Sequence, residues 1–226
     1  HLIVQPADLR LDPPESYLYV QDGFIVSCGV LYVLCYLFYM TKTVKDKTCA
    51  GPIEYLGTTM AYELFYAFKT TSTTFELLCF LAWFLFDVTF VSVAIANAYP
   101  RRQRKAVVGR TIAIVVAGIV FLQWLCARYP DEREQVTAFW TGVVLQLPIS
   151  VGSVWLLVQR RDTKGQSLEI WITRYLGCWT AYGLFFWRYL NIPENWSYVS
   201  SAWSIGMIGI TLLAETIYPF IYVWVW

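Results

Sequence analysis

The chain has 226 residues, of which 58% are hydrophobic and 15% are charged, and its formal net charge is +1. A soluble domain of this size could not bury so much apolar surface, which excludes an ordinary soluble protein. The basic residues form short clusters beside predicted helix ends, which argues against nucleic acid as a partner. We therefore expect a polytopic membrane protein in contact with membrane lipid.

Seven apolar runs follow one another along the chain, each roughly 17 to 26 residues and thus long enough to cross a hydrocarbon core of about 30 Å. The sequence predicts an all-α membrane protein, a bundle of seven transmembrane helices that forms a single domain over residues 23–226. Residues 1–22 are acidic and no cleavage site follows, so we expect a lumenal tail rather than a signal peptide. The runs lie at 23–41, 52–68, 76–97, 108–126, 137–158, 168–187 and 199–224.

The basic residues predict the orientation of these helices, because Lys and Arg accumulate in cytoplasmic loops. Three basic clusters follow the first, third and fifth predicted helices and therefore lie on one side. On the opposite side basic residues are mixed with acids, as at 128–134. The N-terminus is therefore predicted to be lumenal and the C-terminus cytoplasmic. The clusters are Lys42, Lys45 and Lys47; Arg101, Arg102, Arg104 and Lys105; and Arg160, Arg161 and Lys164.

Three acidic residues lie deep inside predicted helices: Glu63 in the second, Asp87 in the third and Glu215 in the seventh. At a rise of about 1.5 Å per residue, each lies roughly 16 Å from a membrane face, near the midplane. An ionised carboxylate in hydrocarbon costs on the order of 3 kcal/mol or more, so such residues usually face a protein interior and have a function. We expect them to share one cavity. Burial disfavours the charged form, which would let Glu63 or Glu215 act as a Brønsted acid.

Each glutamate shares its helix face with a hydroxyl and a phenol, because residues three and four apart lie on one face. Thr59 and Tyr66 flank the first glutamate, and Thr211 and Tyr218 flank the second. Aromatic rings are expected to line the rest of an apolar pocket, where their faces would stabilise a cation. For each ring, helix packing or the membrane interface is the alternative. The candidates are Tyr62, Phe65, Trp83, Trp179, Trp187, Trp203 and Tyr222.

Arg174 lies about 9 Å from the cytoplasmic face by the same helical rise. It is expected to be a structural counter-ion or a residue that snorkels to the interface. If it pairs with Glu215, that glutamate is part of an interhelical ion pair rather than a free acid.

The residues that are absent narrow the possible chemistry. His1 is the only histidine, which excludes Ser-His-Asp and Cys-His catalysis and most transition-metal sites. No aspartate-rich cluster could hold magnesium and a diphosphate, and no glycine-rich phosphate loop occurs. Carboxylates must therefore perform any acid–base step.

Six segments resemble, in this order and spacing, the fungal integral-membrane terpene cyclases of meroterpenoid and indole-diterpene pathways. The most specific matches are the acid of the aromatic helix-two motif, here Glu63, and the acid of the last helix, here Glu215. Members of this family mostly carry aspartate at the second position, and Asn or Asp with a supporting role at the position of Asp87. The segments are DKTCAGPI, MAYELFYAF, QLPISVGSVWLL, RRDTKGQSLEIWITRYLG, WRYLNIPENW and AETIYPFIYVW.

The resemblance implies a membrane-bound cyclase, expected in the endoplasmic reticulum, that needs no metal or organic cofactor. Its substrate would be a lipophilic molecule, a farnesyl or geranylgeranyl chain joined to a polyketide, aromatic or indole head group and epoxidised at its distal end. Glu63 and Glu215 would form the acid pair, one delivering a proton to the epoxide and the other polarising it or positioning the epoxide.

A small proton-coupled transporter is the alternative from another class, because midplane carboxylates can also load and release protons. Pro148 and Pro219 could kink two helices in such a protein. The sequence shows no inverted repeat to support it. A scaffold or receptor would leave the paired acids unexplained.

Overall fold

The computed structural model describes residues 1–130 and 135–226, so the acids Asp131, Glu132 and Glu134 used for the orientation lie outside the described residues. Within the described ranges, all regular structure is helical. Short helix α1 precedes seven longer helices, and the connections between these include short helix α8 and two 3-10 turns, at Ile53–Tyr55 and Ser197–Ser200. The helices are α1 (Pro6–Leu9), α2 (Ser16–Asp46), α3 (Leu56–Ala67), α4 (Thr74–Ala98), α5 (Arg101–Arg128), α6 (Gln135–Arg160), α7 (Leu168–Asn191), α8 (Pro193–Trp196) and α9 (Ala202–Val225).

The predicted all-α membrane protein is confirmed, and each predicted apolar run coincides with one of the longer helices. Five helices, α2, α4, α5, α6 and α9, are long and apolar enough to cross a membrane. Helix α3 has 12 residues and is therefore only about 18 Å long. Helix α7 is long enough but carries Arg174 and Arg188 among its 24 residues. The count of seven spans thus exceeds the five that length and composition support.

Local sequence explains where several helices begin. Thr73, Ser167 and Ser201 precede α4, α7 and α9, and the side chain of each accepts a hydrogen bond from a backbone N–H in the first turn. Such caps satisfy donors that a helix start otherwise leaves free. Helix α2 lacks a side-chain cap and begins at Ser16, so the predicted tail boundary at residue 22 falls inside the helix.

The segment before α2 packs on the end of the bundle rather than extending from it. The Gln21 side chain donates to the carbonyl of Ile3 at 2.8 Å, and the Thr73 hydroxyl donates to that of Leu2 at 2.6 Å. Asp8 is buried and accepts a hydrogen bond from the Trp196 indole at 3.1 Å. These bonds attach the first ten residues to α2, α4 and α8.

Helix α3 lies inside the bundle, which places its polar residues in the protein interior. It packs between α4 and α5, while α2 packs against α7 and α6 against α9. Ala61 and Ala67 are almost fully buried. Close approach requires a small residue on α5: a Cβ atom added to Gly118 would lie 2.6 Å from that of Ala61. Small residues at such contacts let membrane helices approach closely.

Adding a methyl group at this contact is expected to displace α3. Gly118→Ala should lower the stability of the detergent-solubilised protein by about 1–3 kcal/mol, the usual cost of overpacking. Gly109→Ala, on the same helix with no heavy atom within 4 Å of the added Cβ, is the matched control and should not destabilise. Thermal unfolding of both variants measures the difference, and equal melting temperatures would refute the tight contact.

Candidate active site

A cavity of about 510 Å³ lies between α2, α3 and α6 and is covered by the connection from α2 to α3. Its volume is in the range of small-molecule sites, about 300–1,000 Å³. Its wall is mostly apolar or aromatic, with a few polar side chains. The lining includes Tyr32, Tyr36, Tyr39, Cys49, Thr59, Phe90, Gln146 and Arg174.

The connection over the cavity is held by polar contacts from the last residue of α6 and from the loop that follows it. Arg160 donates to the carbonyl of Cys49 at 2.9 Å, and the backbone N–H of Gly165 donates to Asp46 at 2.8 Å. Gly165 has φ of 77°, a left-handed conformation that favours glycine. Burial raises the pKa of the Cys49 thiol to about 11, so this lining group stays protonated at neutral pH.

One wall of the cavity is formed by a cluster of two carboxyl groups and two hydroxyls, which we call the carboxyl cluster: Glu63, Asp87, Tyr36 and Thr59. The Tyr36 hydroxyl donates to one oxygen of Asp87 at 2.5 Å, and the Thr59 hydroxyl donates to the other in a short hydrogen bond. The Glu63 carboxyl group lies beside that of Asp87, and its Oε2 atom is buried without a hydrogen-bond partner. Tyr36 and Thr59 line the cavity, and the two acids lie directly behind them.

The third predicted acid, Glu215, is bound in a second cluster. Arg174 donates to its two oxygens, from Nε at 2.7 Å and from Nη2 at 3.0 Å, which is the bidentate geometry of an ion pair. The same guanidinium donates to the Tyr39 hydroxyl at 2.5 Å and lies 5.4 Å from the centre of the Tyr218 ring. Both charged side chains are buried. We call Arg174, Glu215 and Tyr39 the ion-pair cluster.

The two clusters meet at the same cavity. Tyr36 and Tyr39 lie one turn apart on α2, and both line it, as do Thr59 and Arg174. All three predicted acids thus surround one cavity, each behind side chains that line it. The acids differ in environment, since Glu63 contacts another acid and Glu215 contacts a cation.

Several predicted neighbours of the acids have packing roles instead. The Tyr62 hydroxyl donates to the carbonyl of Ala138 at 3.2 Å, and the Tyr66 hydroxyl accepts from Thr141 at 3.4 Å, which connects α3 to α6. The Thr211 hydroxyl donates to the carbonyl of Met207 in its own helix at 2.9 Å. Of the flanking residues, Thr59 alone binds a predicted acid among the described residues, and that acid is Asp87 rather than Glu63.

The predicted tryptophans do not line the cavity that the structure describes. Trp179 is 51% exposed on the outside of the bundle, and Trp203 is 80% exposed. Trp187 donates to the carbonyl of Tyr17 at 3.1 Å. Trp83 packs behind the wall, with its ring 6.1 Å from that of Tyr36. Indole rings on these helices therefore face lipid or fill interhelical space.

Other aromatic residues, which were not among the predicted lining residues, form the aromatic wall of the cavity. Tyr32, Tyr36 and Tyr39 recur at spacings of four and three on α2, which places them on one helix face. Phe90 of α4 stacks on Tyr39 at 5.5 Å between ring centres. The tyrosine spacing was a usable signal, because three phenols on one face of a membrane helix indicate a polar or aromatic cavity.

A largely apolar cavity between membrane helices, with Asp87 bound by two hydroxyls at its wall and Glu63 beside it, is a site with the size and lining for a lipophilic molecule. Residues 7–226 match the family model of the Pyr4-like transmembrane terpene cyclases. The chain belongs to this family and is a membrane terpene cyclase. The predicted resemblance is thereby confirmed.

Curated relatives match over most of their length. The chain is 28% identical to the Pyr4-family terpene cyclase mfmH of Annulohypoxylon moriforme, over 98% of this chain and 93% of the relative. It is 28% identical to terpene cyclase macJ of Penicillium terrestre, over 94% and 85%. It is 25% identical to terpene cyclase ascF of Acremonium egyptiacum, over 93% and 85%. No solved structure matches the chain significantly.

Proposed function

We propose that the enzyme protonates the terminal epoxide of a prenyl chain and cyclises that chain. The chain is a farnesyl or geranylgeranyl group on a polyketide, aromatic or indole head group. The observation that carries this proposal is the buried Asp87 carboxylate, which is bound by two hydroxyls that line an apolar cavity and has the buried Glu63 beside it. The cavity suits a lipophilic substrate, and the carboxyl cluster suits a proton donor.

The proton resides on the carboxyl cluster because of its hydrogen bonds. Two adjacent carboxyl groups buried in an apolar site do not both ionise, so one of them keeps its proton. Both oxygens of Asp87 already accept hydrogen bonds from Tyr36 and Thr59, so Glu63 carries the shared proton. For the transfer, the Thr59 or Tyr36 hydroxyl turns its proton from Asp87 to the epoxide oxygen. Asp87 returns a proton to that hydroxyl oxygen, and Glu63 supplies the proton that Asp87 passes on.

The reaction is an isomerisation, because one proton is taken up at the epoxide and one is released at the end. The epoxide oxygen takes one proton, its bond to carbon breaks, and the alkenes of the chain attack in turn to form the ring bonds. The last cation loses a proton to a base. Chain folding in the cavity orients these bonds, and exclusion of water protects the cations. The ring faces of Tyr39 and Phe90 stabilise the positive charge.

Glu215 has a positioning role in this proposal. Its ion pair with Arg174 leaves no carboxyl proton to deliver, in contrast to the expectation of a free acid. Arg174 in turn binds the Tyr39 hydroxyl and fixes that ring against Phe90. Of the two acids predicted as a pair, Glu63 is then the proton donor. Glu215 is an anion that positions the aromatic wall through Arg174.

The membrane arrangement that fits this site is a seven-helix bundle in which α3 packs between α4 and α5, and α7 packs against α2 and α9. We place the protein in the endoplasmic reticulum, with its N-terminus lumenal and its C-terminus cytoplasmic. The bond from Arg160 to the carbonyl of Cys49 supports a common face for the first and fifth basic loops. Cysteine labelling of Lys47→Cys and Glu194→Cys in sealed microsomes, with native cysteines replaced, tests which loops are cytoplasmic.

Microsomes that contain the wild-type protein test the reaction when supplied with a panel of epoxyfarnesyl-aryl compounds. Cyclised product without added metal or cofactor is expected. Proton-dependent flux into sealed vesicles, with no chemical change in any panel member, would instead favour the transporter alternative.

Removing one hydroxyl donor from Asp87 is expected to slow the reaction. Tyr36→Phe leaves the ring in place and deletes a buried hydrogen bond worth about 1–3 kcal/mol, so kcat should fall roughly tenfold or more. Tyr175→Phe is the matched control, since its hydroxyl contacts Thr216 at 3.0 Å on an exposed face. Equal kcat values for the two variants would remove Tyr36 from the relay.

A further inference from the structure

The end of the cavity farthest from the covering connection holds a polar pair that the proposed proton relay does not use. Tyr32 lies one turn beyond Tyr36 on α2, about 6 Å farther into the bundle. Its hydroxyl is 3.5 Å from the Gln146 carbonyl oxygen and 3.5 Å from the Cys178 sulfur. Gln146 also donates one N–H to the Ser150 hydroxyl at 3.2 Å. Tyr32 and Gln146 both line the cavity.

This pair has unused hydrogen-bonding capacity. Hydroxyl-to-oxygen hydrogen bonds are most often about 2.7–2.8 Å long, so the Tyr32 contact with Gln146 is weak. A primary amide has two N–H donors, and Ser150 accepts one of them. Polar groups in an apolar membrane site cost free energy unless a partner satisfies them. The pair is therefore suited to an oxygen atom brought by a ligand.

We infer that Gln146 and Tyr32 bind the oxygen at the distal end of the prenyl chain and so select an epoxidised chain over its unoxidised parent. This inference rests on the proposed function. A chain that enters distal end first passes Tyr39, then Tyr36, and reaches Tyr32 and Gln146. Its terminal oxygen then lies between the relay hydroxyls on one side and the amide on the other. After ring opening, the same donors bind the product hydroxyl.

The depth order of the polar groups favours this assignment. Tyr39 and Arg174 lie nearest the connection, Tyr36 and Thr59 follow, and Gln146 lies 14 residues, about 21 Å, from the end of α6 at Arg160. A hydrocarbon terminus would leave the amide unsatisfied, whereas an epoxide oxygen can accept its free N–H. Sites built to hydrogen-bond a substrate oxygen reject analogues that lack it.

Equilibrium binding of two ligands tests this inference independently of the proton-transfer reaction. In a Glu63→Gln background, we would measure the Kd of a tritiated epoxyfarnesyl-aryl ligand and of its unepoxidised parent. The epoxide should bind about tenfold more tightly, and Gln146→Leu should reduce that ratio to about one by weakening epoxide binding. Tyr32→Phe should also lower the ratio. Gln123→Leu, the same change on an exposed position of α5, should leave the ratio unchanged.

Two outcomes would overturn the inference. Equal weakening of both ligands by Gln146→Leu would mean that this side chain only shapes the cavity, and equal affinity of the two ligands in the parent protein would mean that no oxygen is recognised. The proposed function is judged separately, by wild-type turnover. A preserved affinity ratio without turnover would refute the proton chemistry and leave the binding role of Gln146 intact.

Discussion

Glu63→Gln is expected to lower kcat by about a thousandfold, within the range that a general acid contributes. The amide of glutamine can still donate a hydrogen bond to Asp87, so the carboxyl cluster should keep its geometry. The amide, however, has no proton acidic enough for a substrate to take. Substrate binding and the melting temperature should therefore change little while turnover is lost. Steady-state kinetics on a converted epoxide, together with thermal unfolding, measures both.

The matched control is Glu169→Gln, the same change at an exposed position near the start of α7. It should retain wild-type turnover. If Glu63→Gln kept a third of the wild-type kcat, the proton would have to come from elsewhere, and the relay through Asp87 would be wrong. Asp87→Asn should lower kcat about as far as Glu63→Gln does, because asparagine can neither take the proton of Glu63 nor pass it to the Tyr36 or Thr59 hydroxyl.

Sequence alone placed the helices well, since apolar runs of membrane length have few other structures available. It was less reliable for α3, where the predicted run 52–68 contains a helix of 12 residues preceded by a 3-10 turn. A short helix is possible there because α4 and α5 enclose α3. The apolar run is therefore a sign of burial in protein as much as of contact with lipid.

The choice of cavity residues was harder to predict, for a physical reason. In a membrane protein the lipid-facing surface is as apolar as the interior, so hydrophobic periodicity does not distinguish inward from outward faces. Trp179 and Tyr32 look alike on this criterion, yet only Tyr32 lines the cavity. Polar residues carry the usable signal, since Thr59, selected as the neighbour of an acid, lines the cavity and binds Asp87.

The partner of each acid depends on contacts between distant parts of the chain. From sequence, Glu215 could be either a free acid or the partner of Arg174, which lies 41 residues earlier in the chain. Packing of α7 against α9 decides between these alternatives. The same holds for Asp87, whose two hydroxyl donors come from α2 and α3. Spacing along one helix cannot reveal such neighbours.

Breaking the buried ion pair is expected to have the largest effect on stability. Arg174→Met leaves the Glu215 carboxylate without its cation, and loss of one partner of a buried pair typically costs about 3–5 kcal/mol. The double variant Arg174→Met/Glu215→Leu removes both charges and replaces them with apolar side chains. It should recover most of the lost stability, because apolar replacements of buried pairs are often neutral or stabilising. Thermal unfolding in detergent measures this cycle.

Turnover of the stable double variant then reveals the role of the ion-pair cluster. Without Arg174, the Tyr39 ring loses the hydrogen bond that fixes it against Phe90. A cation–π contact in a desolvated site is worth about 2 kcal/mol, so kcat should stay roughly thirtyfold below wild type even though the fold is restored. Full recovery of kcat with stability would show that Glu215 and Arg174 serve the fold alone. A thousandfold loss in the restored fold, equal to that of Glu63→Gln, would return Glu215 to the proton-donating step.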